Sequence, residues 1–243
     1  MADLLPLFLN LTGRAVLLVG GGPVAGAKLT QLVAAGAHIR VISPEVRAEI
    51  VALARRFPPS PNPQSTTPQI TIIQRPFEPA DLDGVWLVVA AATPEVNREV
   101  AEVAETWRVF VNAVDDPANA SAFLSGVVRR DGVTLAISTS GQAPALAALL
   151  REGLDLLLPS DLASWIDKAR VERLVWRRER VPMEARKPRL LRALNELYGS
   201  RLHFERGASD VMQDFNPARE PGRRGAVEGA HVPWLSGPED SWL

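Results

Sequence analysis

Short apolar runs alternate with amphipathic stretches along the first 140 residues, the pattern that specifies a parallel sheet covered by helices. Six segments read as strands: Ala15–Val19, Ile39–Ser43, Ile70–Gln74, Val85–Ala90, Val109–Asn112 and Val133–Ser138. A helix from about Val24 to Ala35 follows the first, and Gly36 stops it. Six strands interleaved with helices predict an α/β fold with a Rossmann-type doubly wound parallel sheet. Between a helix near Glu45–Arg56 and the third strand lies RFPPSPNPQSTTPQ, whose five prolines forbid both helix and inner-strand hydrogen bonding. It is expected to be a surface loop.

From Ala143 onward strand signals stop and three long helix-forming segments follow, APALAALLREGLDLLL, SDLASWIDKARVERLVWRRER and RKPRLLRALNELYGS. In the second, Leu162, Trp165, Ile166, Ala169, Leu174 and Val175 recur at helical spacing and predict one apolar face. The stretch 207–243 is rich in Gly, Pro and charge, with isolated Trp234 and Trp242, and is expected to hold little fixed structure.

Composition narrows the chemistry. With no cysteine there is no thiol nucleophile, thiolate zinc site or iron–sulfur cluster, and redox chemistry needs a borrowed cofactor. The three histidines, His38, His203 and His231, are scattered singly, so no metal site is expected. No apolar run reaches the ~20 residues of a membrane helix, and MADLLPLFLN lacks the basic lead-in of a secretion signal, so a cytoplasmic protein is expected. A formal net charge of -1 argues against a nucleic-acid partner. Locally, residues 166–206 carry twelve Lys/Arg against six Asp/Glu.

The most informative segment is AVLLVGGGPVAGAKLTQLVAAGAHIRVIS. Gly20 permits a tight turn directly after a strand, Gly22 lets a pyrophosphate approach the backbone, and Ala25 at the third glycine position lets helix and sheet pack closely. The helix N-terminus adds free N–H groups and partial positive charge. A tight turn without a ligand is the alternative. Where many NAD enzymes place an acidic residue for the ribose, this chain reads Ile42, Ser43, Pro44, Glu45; Ser43 or Glu45 could serve, and Arg47 is near. NAD is expected rather than NADP.

Taken together, LPLFLNLTGRAVLLVGGGPVAGAK, AATPEVNREVAE, VFVNAVDDPANASAFLSGVV and AISTSGQAPALAALLRE resemble the dehydrogenase module of siroheme synthase and its stand-alone relatives, in order from about Leu5 to Leu158. The resemblance implies NAD-dependent oxidation of precorrin-2 to sirohydrochlorin, with ferrous iron insertion by some members. It also implies a plan of NAD-binding domain (1–112), central dimerisation segment (113–158) and helical C-terminal domain (159–206), before the tail (207–243). A homodimer is expected. Multifunctional members continue into a methyltransferase domain, for which this sequence is too short, so methylation is not expected.

By the same resemblance, Gly20, Gly22, Pro23 and Val24 hold the pyrophosphate and Ser43, Pro44 and Glu45 the adenosine side. Ala91, Thr93 and Asn97 lie along the cofactor groove. Asp115, in NAVDDP, matches the family's critical aspartate, although the neighbouring Asp116 leaves open which carboxylate faces the substrate. The reaction removes a hydride and a proton, so Asp115 would accept the proton or orient the macrocycle. Capping of a turn before Pro117 is the alternative role for either aspartate. The substrate's eight carboxylates call for cations, with Lys28, Arg129, Arg130, Arg151 and the basic helices as candidates. Two other functions fit less of the chain. A non-catalytic NAD-sensing domain explains the glycine turn but not NAVDDP or the STSG turn at 138–141. A small-hydroxy-acid dehydrogenase would want a catalytic His or Lys–Tyr pair, and Tyr198 has no obvious lysine partner.

Overall fold

A computed structural model of the chain describes residues 4–62, 64–124 and 126–205, with side chains to residue 197. The expected tail 207–243, with His231, Trp234 and Trp242, lies outside the described residues, as do the side chains of Tyr198 and His203.

Five strands form one wholly parallel sheet: β1 (Ala15–Val19), β2 (His38–Ile42), β3 (Gln69–Ile73), β4 (Leu87–Ala90) and β5 (Phe110–Ala113), in the order β3-β2-β1-β4-β5. Helices α1 (Pro23–Ala34), α2 (Ala48–Arg56) and α3 (Pro94–Trp107) make the crossovers β1 to β2, β2 to β3 and β4 to β5. The central strands read AVLLV and LVVA because parallel strands covered on both faces need apolar side chains at every position. Alternation divides the core into two layers. Val16 and Leu18 pack with Leu29 and Leu32 of α1 and Ile50 of α2, whereas Leu17 and Val19 pack with Phe77, Leu82 and with Val100 and Ala104 of α3. Each fully buried Leu contributes roughly 1.5–3 kcal/mol relative to exposure.

The sixth expected strand is present but belongs elsewhere. β7 (Val133–Ile137) pairs with β6 (Gly126–Arg130) in a separate two-stranded sheet. The reason is the two-residue connection: Asp131 and Gly132 both have positive φ, 48° and 84°, and such a turn has the twist that closes a hairpin. Three helices follow, α4 (Pro144–Leu157), α5 (Leu162–Arg178) and α6 (Met183–Glu205). On α5 the inward positions include Leu162 and Trp176; Leu174, expected on the apolar face, is 68% exposed. No described helix is long and apolar enough to cross a membrane.

By contact, the chain falls into two compact units, Met1–Val127 with Ala136–Glu152, and Val128–Leu135 with Gly153 onward. The first contains the parallel sheet. In the second, Arg130 donates to Asp155 (2.8 Å) and to the carbonyl of Leu158 (3.0 Å).

Beyond β3 the chain is pinned by a buried carboxylate. Asp81 accepts two hydrogen bonds from the Arg75 guanidinium (2.6 and 2.8 Å) and one from the backbone N–H of Glu78 (2.9 Å), while Arg40 donates to its carbonyl (2.6 Å). Burial pushes the Asp81 carboxyl up, but the hydrogen bonds from Arg75 and Glu78 and the charges of Arg75 and Arg40 outweigh it and hold it below its ordinary value. The ionised form is thus favoured by folding. Its stabilisation is complete above the ordinary carboxylate value of 3.8 and is lost as pH falls through the lower folded value. An Asp81→Asn variant is expected to lose roughly 1–3 kcal/mol near neutral pH. Urea unfolding should show that deficit shrinking only on the acid side; a deficit that is the same at every pH would remove the ionised carboxylate from the account.

Candidate active site

Strands β1, β2, β4 and β5 end at one level, since Val19 is in register with both Ile42 and Ala90, and Ala90 with Ala113. The chain runs outward from β1 to β2 and β3, then returns to place β4 on the other side of β1. That reversal leaves a crevice beyond the carboxyl ends of β1 and β4, where open α/β sheets bind ligands. Here it is a cleft of about 710 Å³, lined by Gly20–Val24, Ile42–Arg47, Ala91–Thr93, Pro76, Phe77, Val96 and Glu99.

The three glycines of the turn do different work. Gly20 has φ 124°, and a Cβ there would collide with the carbonyl of Ala91, so β1 and β4 can end side by side only with glycine. At Gly21 a Cβ would collide with the carbonyl of Glu45; its own carbonyl accepts from the N–H of Arg47 (3.1 Å), which fixes the β2–α2 loop as the opposite wall. A Cβ on Gly22 would meet nothing within 4 Å, so this residue lies open to the cleft as the N-cap of α1. Pro23 follows at a position where a missing N–H costs nothing. Ala25 is fully buried, the close helix–sheet packing expected of it.

At the end of β2, the Ser43 hydroxyl donates to the carbonyl of Glu45 (2.7 Å) and curls the loop so that Ser43, Pro44 and Glu45 all line the cleft. Ala91 and Thr93 line it from the β4 side. Asn97 does not. It is buried on α3 behind the groove, where its Oδ1 accepts from the N–H of Ala92 (2.9 Å) and its Nδ2 donates to the carbonyl of Val114 (3.3 Å). It supports the groove floor and the end of β5 at once.

Past β5 the two aspartates part company. Asp116 stands at the N-cap position of the short 3₁₀ turn Pro117–Asn119, where its carboxylate accepts a hydrogen bond from the Asn119 side chain (2.7 Å) and makes no side-chain capping bond to the turn's backbone. Asp115 is exposed, in the left-handed region at φ 58°. The turn at 138–141 comes against this segment: Gly141, φ 75°, lies so close to Pro117 that a Cβ would fall 2.7 Å from the ring. Within that turn the Ser138 hydroxyl accepts from the N–H of Ser140, and the Thr139 hydroxyl from that of Ala143. Of the candidate cations, Arg130 is committed to Asp155 and Leu158, and Arg151 meets its neighbour Glu152 at 3.1 Å. His38 begins β2, at the opposite end from Ser43, next to Gln69. Among the described residues no group of three or more His, Asp or Glu could hold a metal.

Residues 7–126 match the family model described as "Putative NAD(P)-binding", and residues 130–155 match the model for the sirohaem biosynthesis protein central region. Over these residues the chain is similar to proteins of sirohaem biosynthesis. Siroheme synthase 1 of Aeromonas salmonicida is 43% identical over 163 residues, which is 67% of this chain and 32% of that protein. Siroheme synthase of Photorhabdus laumondii is 40% identical over the same length, and that of Neisseria meningitidis serogroup C 39% over 158 residues. The chain therefore spans about a third of the length of these relatives. A solved structure, SirC, precorrin-2 dehydrogenase, shares the fold, with a TM-score of 0.61 and 24% identity over 84% of this chain and 96% of that one.

Four cleft residues escaped the sequence reading: Pro76, Phe77, Val96 and Glu99. They reach the cleft only through tertiary packing. Gly22 and Gly20 give a paired test of the turn. Gly22→Val is expected to leave thermal unfolding close to that of the wild type and to weaken NAD binding, read by calorimetry, at least about tenfold through steric exclusion. Gly20→Ala is expected to lower the melting temperature markedly, because the strand ends must separate. Undiminished NAD affinity in Gly22→Val would place the pyrophosphate elsewhere.

Proposed function

We propose that this chain oxidises precorrin-2 to sirohydrochlorin with NAD, Asp115 taking the proton. The observation that carries the reading is the unequal state of the two aspartates: Asp116 is bound by Asn119, while Asp115 stands exposed two residues beyond the end of β5, the strand paired with β4. The dinucleotide fits the cleft on three counts: the open Cα of Gly22, the N-terminus of α1 and a volume in the range of cofactor sites. NAD is favoured over NADP because Glu45 lines the adenosine side, where a carboxylate suits ribose hydroxyls and repels a 2′-phosphate, and Arg47 lies 3.5 Å from Glu49.

When bound, NAD supplies the hydride acceptor. The chain's own part is to orient and to move a proton. The α1 N-terminus and the backbone of the glycine turn fix the pyrophosphate, the Asn97 amide holds the floor at Ala92, and Asp115 receives the proton that leaves the ring system as the hydride departs. Ferrous iron insertion is proposed as a second activity, with iron as substrate and Asp115 collecting pyrrole protons. A cytoplasmic homodimer through 113–158 completes the reading; Leu146, Leu150, Leu156 and Leu157 on α4 are all exposed in the isolated chain and supply apolar contact area.

The test is anaerobic incubation with enzymatically generated precorrin-2 and NAD, following sirohydrochlorin and NADH absorbance. Asp115→Asn is expected to lower kcat about 10²–10⁴-fold with NAD affinity unchanged, and Asp116→Asn to keep most of the activity. A wild-type chain that binds NAD yet forms no product would replace the dehydrogenase by the NAD-sensing domain.

A further inference from the structure

We infer, on the reading of the cleft as a NAD site, that Glu99 is the residue by which the cleft selects its purine: its carboxylate accepts the exocyclic 6-amino group of an adenine ring seated between Pro76–Phe77 and Val96. With the pyrophosphate at the glycine turn and the nicotinamide on the Asp115 side, the adenosine half runs the other way, past Ser43, Pro44 and Glu45 at the end of β2. Two apolar walls line the cleft there. Pro76 and Phe77 come from the chain after β3 and Val96 from the first turn of α3, and Val96 packs on the core layer that contains Phe77. A flat base with apolar faces suits such a slot, and one well-placed polar group fixes which base enters.

Both walls are held by hydrogen bonds. Asp81 accepts from Arg75 (2.6 and 2.8 Å) and from the N–H of Glu78 (2.9 Å), which closes the chain into a loop around Pro76 and Phe77, and Arg40 of β2 donates to the Asp81 carbonyl (2.6 Å) and ties that loop to the sheet. On the other side Asn97, the neighbour of Val96, fixes the start of α3 through its bonds to Ala92 and Val114. Glu99 follows Val96 by three residues and shares its helix face. Of the four glutamates on α3, Glu99 is the one that lines the cleft, and its side chain has no hydrogen bond or ion pair among the described residues. Other polar groups of the adenosine side are engaged: the Ser43 hydroxyl donates to the carbonyl of Glu45, and Arg47 lies 3.5 Å from Glu49. That leaves the Glu45 carboxylate for the ribose and the Glu99 carboxylate for the base. A carboxylate accepts and does not donate, so it separates adenine, which presents N–H donors at position 6, from hypoxanthine, which presents a carbonyl oxygen there.

Calorimetric titration of the full chain with NAD and with nicotinamide hypoxanthine dinucleotide, in which a 6-carbonyl replaces the 6-amino group, tests this without precorrin-2. The wild type is expected to bind NAD at least about tenfold more tightly, the scale of one hydrogen bond to a charged group. Glu99→Gln is expected to weaken NAD and strengthen the hypoxanthine dinucleotide until the two lie within about twofold of one another, since a carboxamide offers both an acceptor and a donor. Glu99 is exposed, so this variant should melt close to the wild type. ADP and IDP, which lack the nicotinamide half, should show the same preference in the wild type and the same loss of it in the variant. Equal affinity of the wild type for the two dinucleotides, a preference that survives in Glu99→Gln, or no preference between ADP and IDP would each overturn the assignment of Glu99 while leaving NAD binding in place. A chain that binds neither dinucleotide would overturn it together with the cofactor reading. A chain that discriminates between them yet forms no sirohydrochlorin would fail the dehydrogenase reading alone.

Discussion

Four backbone hydrogen bonds close the carboxyl edge of the sheet, and the rest of the site depends on them. Val114 donates to Ala90, Ala91 to Val19, Gly20 to Ile42 and Ser43 to Ile73, each first residue beyond a strand tied to the last residue of its neighbour. The result is a level rim from β5 to β3. Every loop leaving that rim starts from a fixed height, so residues far apart in sequence meet around one cleft. The rim can be this tight only because position 20 lacks a side chain. Its apolar interior is sealed on both faces by helices, which leaves the ends of the strands as the place where polar backbone meets solvent and ligand.

How much of this was legible in the chain varied with how local the cause was. The glycine turn, the strand before it and Gly36 after α1 are local signals, and the structure has each where the pattern put it. The sixth strand was visible as an apolar run, but its partner GVVRR ends in two arginines and did not read as a strand; Asp131-Gly132 between them was the hairpin signal to weigh. Asp115 and Asp116 are alike in sequence. Only the placement of Asn119 three residues on sets them apart. Pro76 and Phe77 join the cleft wall because Asp81 gathers Arg75, Glu78 and Arg40 around a buried carboxylate, an arrangement with no periodic signature.

Charge in the chain is sorted by degree of burial. Exposed pairs such as Arg170 with Asp167 on α5 contribute little, as surface pairs do. The consequential charges are the few with restricted solvent access. Asp81 with Arg75 stabilises the wall of the cleft, and Lys28 stands between the first helix and the segment after β5. A net charge of -1 thus conceals a structure in which a small number of fixed charges act at the cleft while the many others keep the surface solvated.

The Asn97 side chain carries a further consequence. One amide spans from the loop under the groove to the last carbonyl before Asp115, and it has no proton to gain or lose across the range in which the chain is folded. An aspartate in its place could accept from Ala92 but could not donate to Val114, and a histidine would change its donors as it titrated. The spacing between the two strand ends is therefore set by a ruler that does not change length with pH, and titration of the site is left to the groups that face the cleft.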